Sequence, residues 1–440
     1  MDAVGTNASR RHLPAYSSGP KTGIPASLWK NTGVRLKKVL NNTAKYFCIC
    51  FYSHCCYLDF EGGYNESCCL QPSQKKNRVQ SNLVELNSPF AKESSNNGRS
   101  ELPFTLQELK SAIPAYCFDP SPWKSLSYFF LDISIIGLLY GVAAFFDSWW
   151  FWPVFWLMQG TMFWALFVVG HDCGHGSFSK QKWLNNLIGH LSHTPILVPY
   201  HGWRISHRTH HQNTGNIDTD ESWYPVTETK YRTMRWWEKL LRFDVLLFVY
   251  PLYLFARSPQ RDGGSHFLPS SPLFRPSEKW DVIISTIFWT LMVGFLGLLT
   301  YQFGWLFLLK YYLGPYVVFV VWLDLVTFLH HTESDIPWYR GKNWYFLKGA
   351  LSTIDRDYGF INNIHHNIGT HVAHHLFLNM PHYHLKRATE AIKPILGDYY
   401  RKSDESIFKS FWRSWRSCHF VPNKGGMVYY QSKTELKKAE

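Results

Sequence analysis

Trp149 to His175 reads WWFWPVFWLMQGTMFWALFVVGHDCGH, an apolar run of about 20 residues that passes without a break into two histidines. From Trp149 to Gly170 no side chain is charged, and the length suffices for one helical crossing of a bilayer. His171 and His175 stand four apart, so on a helix both imidazoles leave the same face at its end. Trp149, Trp150 and Trp152 at the other end suit the aromatic belt of a membrane interface. Upstream, Leu126–Phe146 is another apolar run with only Asp132 charged, and Asp147–Ser148 allows a tight turn between the two. Residues 126–170 therefore read as a transmembrane hairpin. Downstream, Val282–Tyr301 and Tyr311–Leu329 make a second hairpin over 281–331, with Gly304 and Lys310 near its bend and His330–His331 at its end.

Two polar regions, 171–280 and 332–440, follow the hairpins, and each carries a histidine cluster: His207, His210 and His211 in HRTHH, then His371, His374 and His375 in HVAHH. Loop charge puts them together. The 146–149 turn has no Lys or Arg, whereas the histidine-bearing segments have many, which places all three clusters on one face of the membrane. The expected fold is an all-α membrane protein of four spans, with a cytoplasmic or stromal helical cap. Eight imidazoles, with His331 at the end of the fourth span as a ninth, exceed the four ligands of a closed zinc site. Imidazole alone does not name the metal, but two irons sharing O₂ are the economical reading.

Other residues rank lower. His366, five positions before the third cluster, and Asp172 inside the first are candidates for supporting rather than ligating roles, with His365 behind them. Asp218, Asp220 and Glu221 are placed to orient imidazoles through their free N–H, or simply to solvate a loop. His190, His193, His201, His266, His382 and His384 read as surface, groove or supporting residues. Asp132 and Asp324 lie inside spans, where a carboxylate is costly and needs a partner within the bundle. Val245–Phe255 is apolar but short, which suggests a helix lying on the bilayer.

Composition excludes several classes. The 440 residues carry a formal charge of +13 without any run of five Lys/Arg, which argues against nucleic acid and for basic loops on an anionic membrane. Of nine cysteines, six crowd into 48–69 without a CxxC pair, so neither a disulfide framework nor a zinc ribbon is indicated. There is no CxxCH, no cysteine set for an iron–sulfur cluster and no convincing GxGxxG, so no bound haem, flavin or NAD is expected and electrons must come from a separate carrier. Residues 1–58 hold one acid, Asp2, against eight Lys/Arg, as in an organellar transit peptide. With the Ser-, Asn- and Gln-rich stretch that follows, 1–100 is expected to be leader plus linker, and 101–125 a pre-membrane helix and lead-in. In TLQE, Thr105 and Glu108 form a capping-box pattern for that helix.

The segments GTMFWALFVVGHDCGHGSFS (160–179), ILVPYHGWRISHRTHHQN (196–213) and DRDYGFINNIHHNIGTHVAHHLF (355–377), continued by PHYHLKRATEAIKPILGDYY (381–400), resemble the membrane-bound fatty acid desaturases. The similarity is to their plant-type omega-3 (delta-15) acyl-lipid branch and runs from about Pro120 to Tyr430. One departure is visible: after His331 the chain reads TESDIPWYRGK, where the plant enzymes usually carry more histidine. The resemblance implies an O₂-dependent enzyme that turns linoleoyl (18:2) chains of membrane lipids into alpha-linolenoyl (18:3) chains. It also implies that His171, His175, His207, His210, His211, His371, His374 and His375 hold two irons, with His331 matching a further family histidine. The donor implied is ferredoxin in a plastid or cytochrome b5 in the endoplasmic reticulum. The acid-poor N-terminus favours the chloroplast, and Lys437–Lys438 near the C-terminus is the argument for the reticulum. An omega-6 (delta-12) desaturase, a di-iron acyl hydroxylase and, remotely, a metal transporter are the rival readings. A transporter places its ligands near the bilayer midplane, whereas these clusters lie outside the spans.

Overall fold

The computed structural model describes residues 102–146, 148–257 and 263–438, so the expected leader and linker lie outside the described residues. The described chain is mostly helical. Helix α1, Leu106–Ala112, opens on the expected capping box: the Thr105 hydroxyl accepts from Glu108 N–H at 3.2 Å and Glu108 Oε2 accepts from Thr105 N–H at 2.6 Å. Helix α2 spans Pro122–Ala143 and begins a turn before the apolar run, because Pro122 sits in its first turn behind a Ser121 cap. Helix α3, Phe151–His175, ends where Gly176 takes φ +74°, a left-handed conformation that stops the helix immediately after His175.

Two amphipathic helices follow, α4 (Lys182–His193) and α5 (Tyr200–Asn213). The region expected to lie on the bilayer is broken into Leu246–Phe248 and Tyr250–Phe255, with Tyr250 and Leu254 buried and Leu252 and Phe255 exposed. Helix α6, Lys279–Phe303, turns at Gly304 into the fourth span, which covers Trp305–His331 and whose last regular part is α7, Gly314–His331. Gly304 makes the bend, and Lys310, expected near it, falls beyond it. It lies inside the helix with its ammonium 4.9 Å from the Trp152 ring centroid, so the span starts six residues earlier than the sequence indicated.

Among the described residues, four helices are long and apolar enough to cross a membrane, as a membrane protein requires. They are not equivalent. The apolar windows of α3 and of the fourth span are 67% and 61% buried, against 17% for each of the other two, so the former pair forms the inside of the bundle. Their contact is close because it is lined by glycine: a Cβ on Gly160 would lie 2.5 Å from the Pro315 carbonyl oxygen, and one on Gly314 would lie 2.4 Å from the Trp156 ring. These two inner helices deliver His171, His175 and His331 at their ends.

Beyond α7 the polar chain folds into short pieces. Strands β1 (Trp338–Tyr339) and β2 (Asp355–Arg356) precede α8, His371–Leu376, and α9, His382–Leu396. Strand β3 (Lys402–Ser403) pairs in parallel with β2, α10 covers Ile407–Ser417, and β4 (Met427–Val428) pairs antiparallel with β1. The core of this region joins Leu109 and Cys117 to Val372, Leu376, Leu385 and Ile392, which seats α8 and α9 on the pre-membrane helix. Among the described residues, Cys117, Cys173 and Cys418 are buried free thiols.

Candidate metal centre

Three helix ends and one short helix bring the nine histidines named from sequence into two adjoining groups. In the first, ring nitrogens of His171, His175, His207, His211 and His374 all lie within 4.8 Å of one another; in the second, so do those of His210, His331 and His375. His371 belongs beside the second, its Nε2 3.0 Å from both His331 Nε2 and His375 Nε2. The groups touch, with the His211 and His375 rings stacked at 4.0 Å.

Hydrogen bonding cannot satisfy this packing. His211 Nε2 faces His207 Nε2 at 3.0 Å and His374 Nε2 at 3.2 Å, and His371 Nε2 likewise faces two nitrogens. A neutral imidazole has one N–H and serves one such neighbour. A cation at the focus satisfies all of them, and an all-imidazole donor set suits iron, zinc, copper or nickel. The residues present therefore fit a metal centre. Burial first, and the neighbouring imidazoles second, hold His207, His211, His371, His374 and His375 well below the ordinary imidazole value, so they are neutral and ready to ligate at pH 7. The cost appears in acid. Imidazoles released by unfolding protonate near 6.5 while the folded ones do not, so stability is lost as pH falls through that value, by about 1.4 kcal/mol per pH unit for each such group. Thermal melts of chelator-treated protein are expected to show the midpoint falling steadily from pH 7 to pH 5; a flat profile contradicts the assignment.

Supporting contacts choose the tautomers. Asp220 Oδ1 accepts from His210 Nδ1 at 2.7 Å, leaving Nε2 to face inward. The Thr214 hydroxyl donates to the His210 carbonyl at 2.8 Å, so it accepts from His375 Nδ1 at 3.1 Å and bares that Nε2 too. Asp355 accepts the Val372 N–H at 2.7 Å and the Tyr400 hydroxyl at 2.8 Å, and so holds the amino end of α8 from another segment. Of the three acids after the second cluster, only Asp220 meets a clustered imidazole. Asp218 takes the Gly341 N–H at 3.3 Å and Glu221 pairs with Arg257. Asp220→Ala is expected to weaken metal retention about 10–100-fold, as loss of an outer partner does elsewhere, with Asp220→Asn between the two. Titration of bound metal against a chelator reads this directly.

Asp172 reaches His171 Nδ1 only at 3.5 Å and is held instead by His382, through Nδ1 at 2.9 Å and backbone N–H at 3.0 Å. His366 stands outside both groups, its Nε2 2.7 Å from Asp132. Asp132 thus pairs with the polar region rather than with another span, and so does Asp324, which accepts the Tyr250 N–H at 3.2 Å. His330 is taken by the Ile354 carbonyl at 2.6 Å and Tyr358 at 3.1 Å. His193 and His266 are buried against carbonyls of Phe167 and Leu254, at 3.1 and 3.2 Å, rather than on the surface. Sequence reading missed Thr214 and Asp355, and left His382 among the surface, groove or supporting histidines without its Asp172 partner. Thr214 lies four residues after His210, a spacing that could have flagged it, whereas nothing local marks the other two.

A family model described as Fatty acid desaturase matches residues 147–405, and one described as Domain of unknown function (DUF3474) matches 4–144. The chain is 74% identical over 332 residues to a protein of Synechocystis named sn-1 acyl-lipid omega-3 desaturase (ferredoxin), covering 76% of this chain and 92% of that one. It is 52% identical to the sn-2 acyl-lipid omega-3 desaturase (ferredoxin), chloroplastic, of Helianthus annuus, over 76% of this chain and 78% of that one. To the Omega-3 fatty acid desaturase, endoplasmic reticulum, of Nicotiana tabacum it is 52% identical, over 75% of this chain and 89% of that protein.

Proposed function

This chain belongs to the fatty acid desaturase family, and on that premise we propose that it is an omega-3 acyl-lipid desaturase that converts linoleoyl chains of membrane lipids into alpha-linolenoyl chains with O₂ and two electrons. The observation that carries the reading is the meeting of His171, His175, His207, His211 and His374 beside His210, His331 and His375 at the ends of the two inner spans. We assign the first group to one iron and the second, with His371, to another.

An unactivated methylene has no acidic proton and no leaving group, so side-chain acid–base chemistry does not desaturate it. Iron supplies, when bound, the O₂-dependent oxidation that such a bond requires. The chain's own residues do the rest. Asp220 and Thr214 fix His210 and His375 in the ligating tautomer, Asp355 seats α8, and Trp203, stacked on His207 at 4.5 Å, fixes that ring's plane. Burial of His171, His210, His211, His331, His371, His374 and His375 keeps bulk water away from the reacting bond. The bundle places the centre at the lipid boundary, where an acyl chain arrives without crossing water. The electron donor is ferredoxin, as in the names of the relatives from Synechocystis and Helianthus; the acid-poor N-terminus and the chloroplastic Helianthus relative favour a plastid membrane, with the endoplasmic reticulum of the Nicotiana relative as the alternative.

Expression in yeast supplied with linoleate, together with ferredoxin and its reductase, is expected to produce alpha-linolenate. Hydroxylated chains, or no triene while iron-loaded protein accumulates, would contradict the assignment.

A further inference from the structure

Of the first group, His175 and His207 are only half-buried. A pocket of about 440 Å³ has His175 in its wall together with Lys180, Lys182, Asn185, Asn186 and Arg204. The same ring sits 4.5 Å from His211 and 4.9 Å from His374, so it joins the pocket to the centre of the first group. Gly174 makes the wall thin: a Cβ there would lie 3.4 Å from the Arg204 stem, which packs across it.

The lining suits an anionic partner. It holds three cationic side chains and no carboxylate. Arg204 is paired with Asp281 at 2.9 Å and Lys180 with Asp119, so Lys182 is the lining cation left to face a partner. Phe118, Pro120 and Cys173 give the pocket a small apolar part, and a hydrocarbon chain gains little from the lysine and asparagine walls around it. A lipid headgroup is also misplaced there, because the bond desaturated in an omega-3 reaction lies near the methyl end, almost a full acyl length from the headgroup, whereas this pocket touches His175 itself.

We propose that this pocket is the docking mouth for an acidic one-electron carrier protein, which passes its electrons to the centre through the His175 side; the proposal rests on the desaturase reading above. The stoichiometry requires such visits. O₂ takes four electrons and four protons to become two waters, and the two C–H bonds broken supply two of each. The remaining two electrons come from two reduced carriers, each oxidised by one electron, and the two protons come from water. Lys182 steers the carrier, and its field raises the encounter rate.

Lys182→Glu tests this in the full chain, iron-loaded in lipid vesicles, with reduced ferredoxin as the probe and dithionite-reduced methyl viologen as a small comparison reductant. A carboxylate in the first turn of α4 is compatible with the helix dipole, so the fold is retained. The KM for ferredoxin is expected to rise about tenfold with kcat unchanged, the difference shrinking at about 0.5 M salt. The rate with viologen and the KM for acyl lipid are expected to stay as in wild type. Lys182→Gln, which keeps the volume and removes the charge, should give a smaller rise of the same kind. An unchanged ferredoxin KM in both variants overturns the proposal, and so does a raised KM for acyl lipid, which would give the pocket to a headgroup. Wild-type protein that forms no triene with either reductant would overturn the desaturase reading itself.

Discussion

His211→Ala is expected to lower desaturation more than about 100-fold, beyond the 10–100-fold typical of losing an outer partner, and to strip metal from the purified protein. No other side chain is so central. Its Nε2 faces both His207 and His374, and its ring stacks on His375 of the second group at 4.0 Å. Removing it opens the first group and withdraws the wall against which the second is packed, so iron should fall for both positions rather than one. His384→Ala, on the half-buried face of α9, is the control and should leave iron content unchanged. Iron analysis of the two purified variants, with product profiling beside it, checks the expectation; a His211→Ala protein that keeps its full iron would contradict it.

Glu333→Ala carries the largest expected cost in stability. Two residues past His331, this carboxylate is buried with Arg356, whose Nη2 lies 3.0 Å away and whose Nε donates to the Leu329 carbonyl at 2.7 Å. Arg413 of α10 adds a second guanidinium at 2.6 Å. One acid thus ties the end of the fourth span to β2 and to α10, and β2 in turn carries Asp355 to the amino end of α8. Deleting one partner of a buried pair leaves the other charge uncompensated, at about 3–5 kcal/mol. Thermal or denaturant unfolding in detergent should show the loss, and iron retention should fall with it because His331 and α8 lose their common anchor. Arg413→Ala, with Arg413 about two-fifths exposed, should cost much less.

What the sequence made legible follows from how local each signal is. Spans are visible because lipid forces every backbone group to bond within its own helix, so about 20 apolar residues in a row have few other readings. The histidine clusters are visible because three- and four-residue spacing places side chains on one helix face, and nine of the imidazoles so identified do meet. Lys310, expected near the bend, lies within the helix because a long side chain can bury its stem and set its ammonium on Trp152. Among Asp218, Asp220 and Glu221, three acids within four positions, only the loop's course decides which one reaches His210. Asp355 lies seventeen residues before its contact on α8, and His382 sits 210 residues from Asp172; neither partnership has a periodic trace. The Gly160–Gly314 approach is equally silent, since glycine in a span reads the same whether it faces lipid or another helix.

The central claim is that two metal ions sit between these imidazoles. Anomalous diffraction at the iron edge from the iron-loaded protein tests it most directly. Two peaks per chain are expected, one enclosed by His171, His175, His207, His211 and His374, the other by His210, His331 and His375 with His371 alongside. A single peak, or peaks away from these rings, would contradict the account.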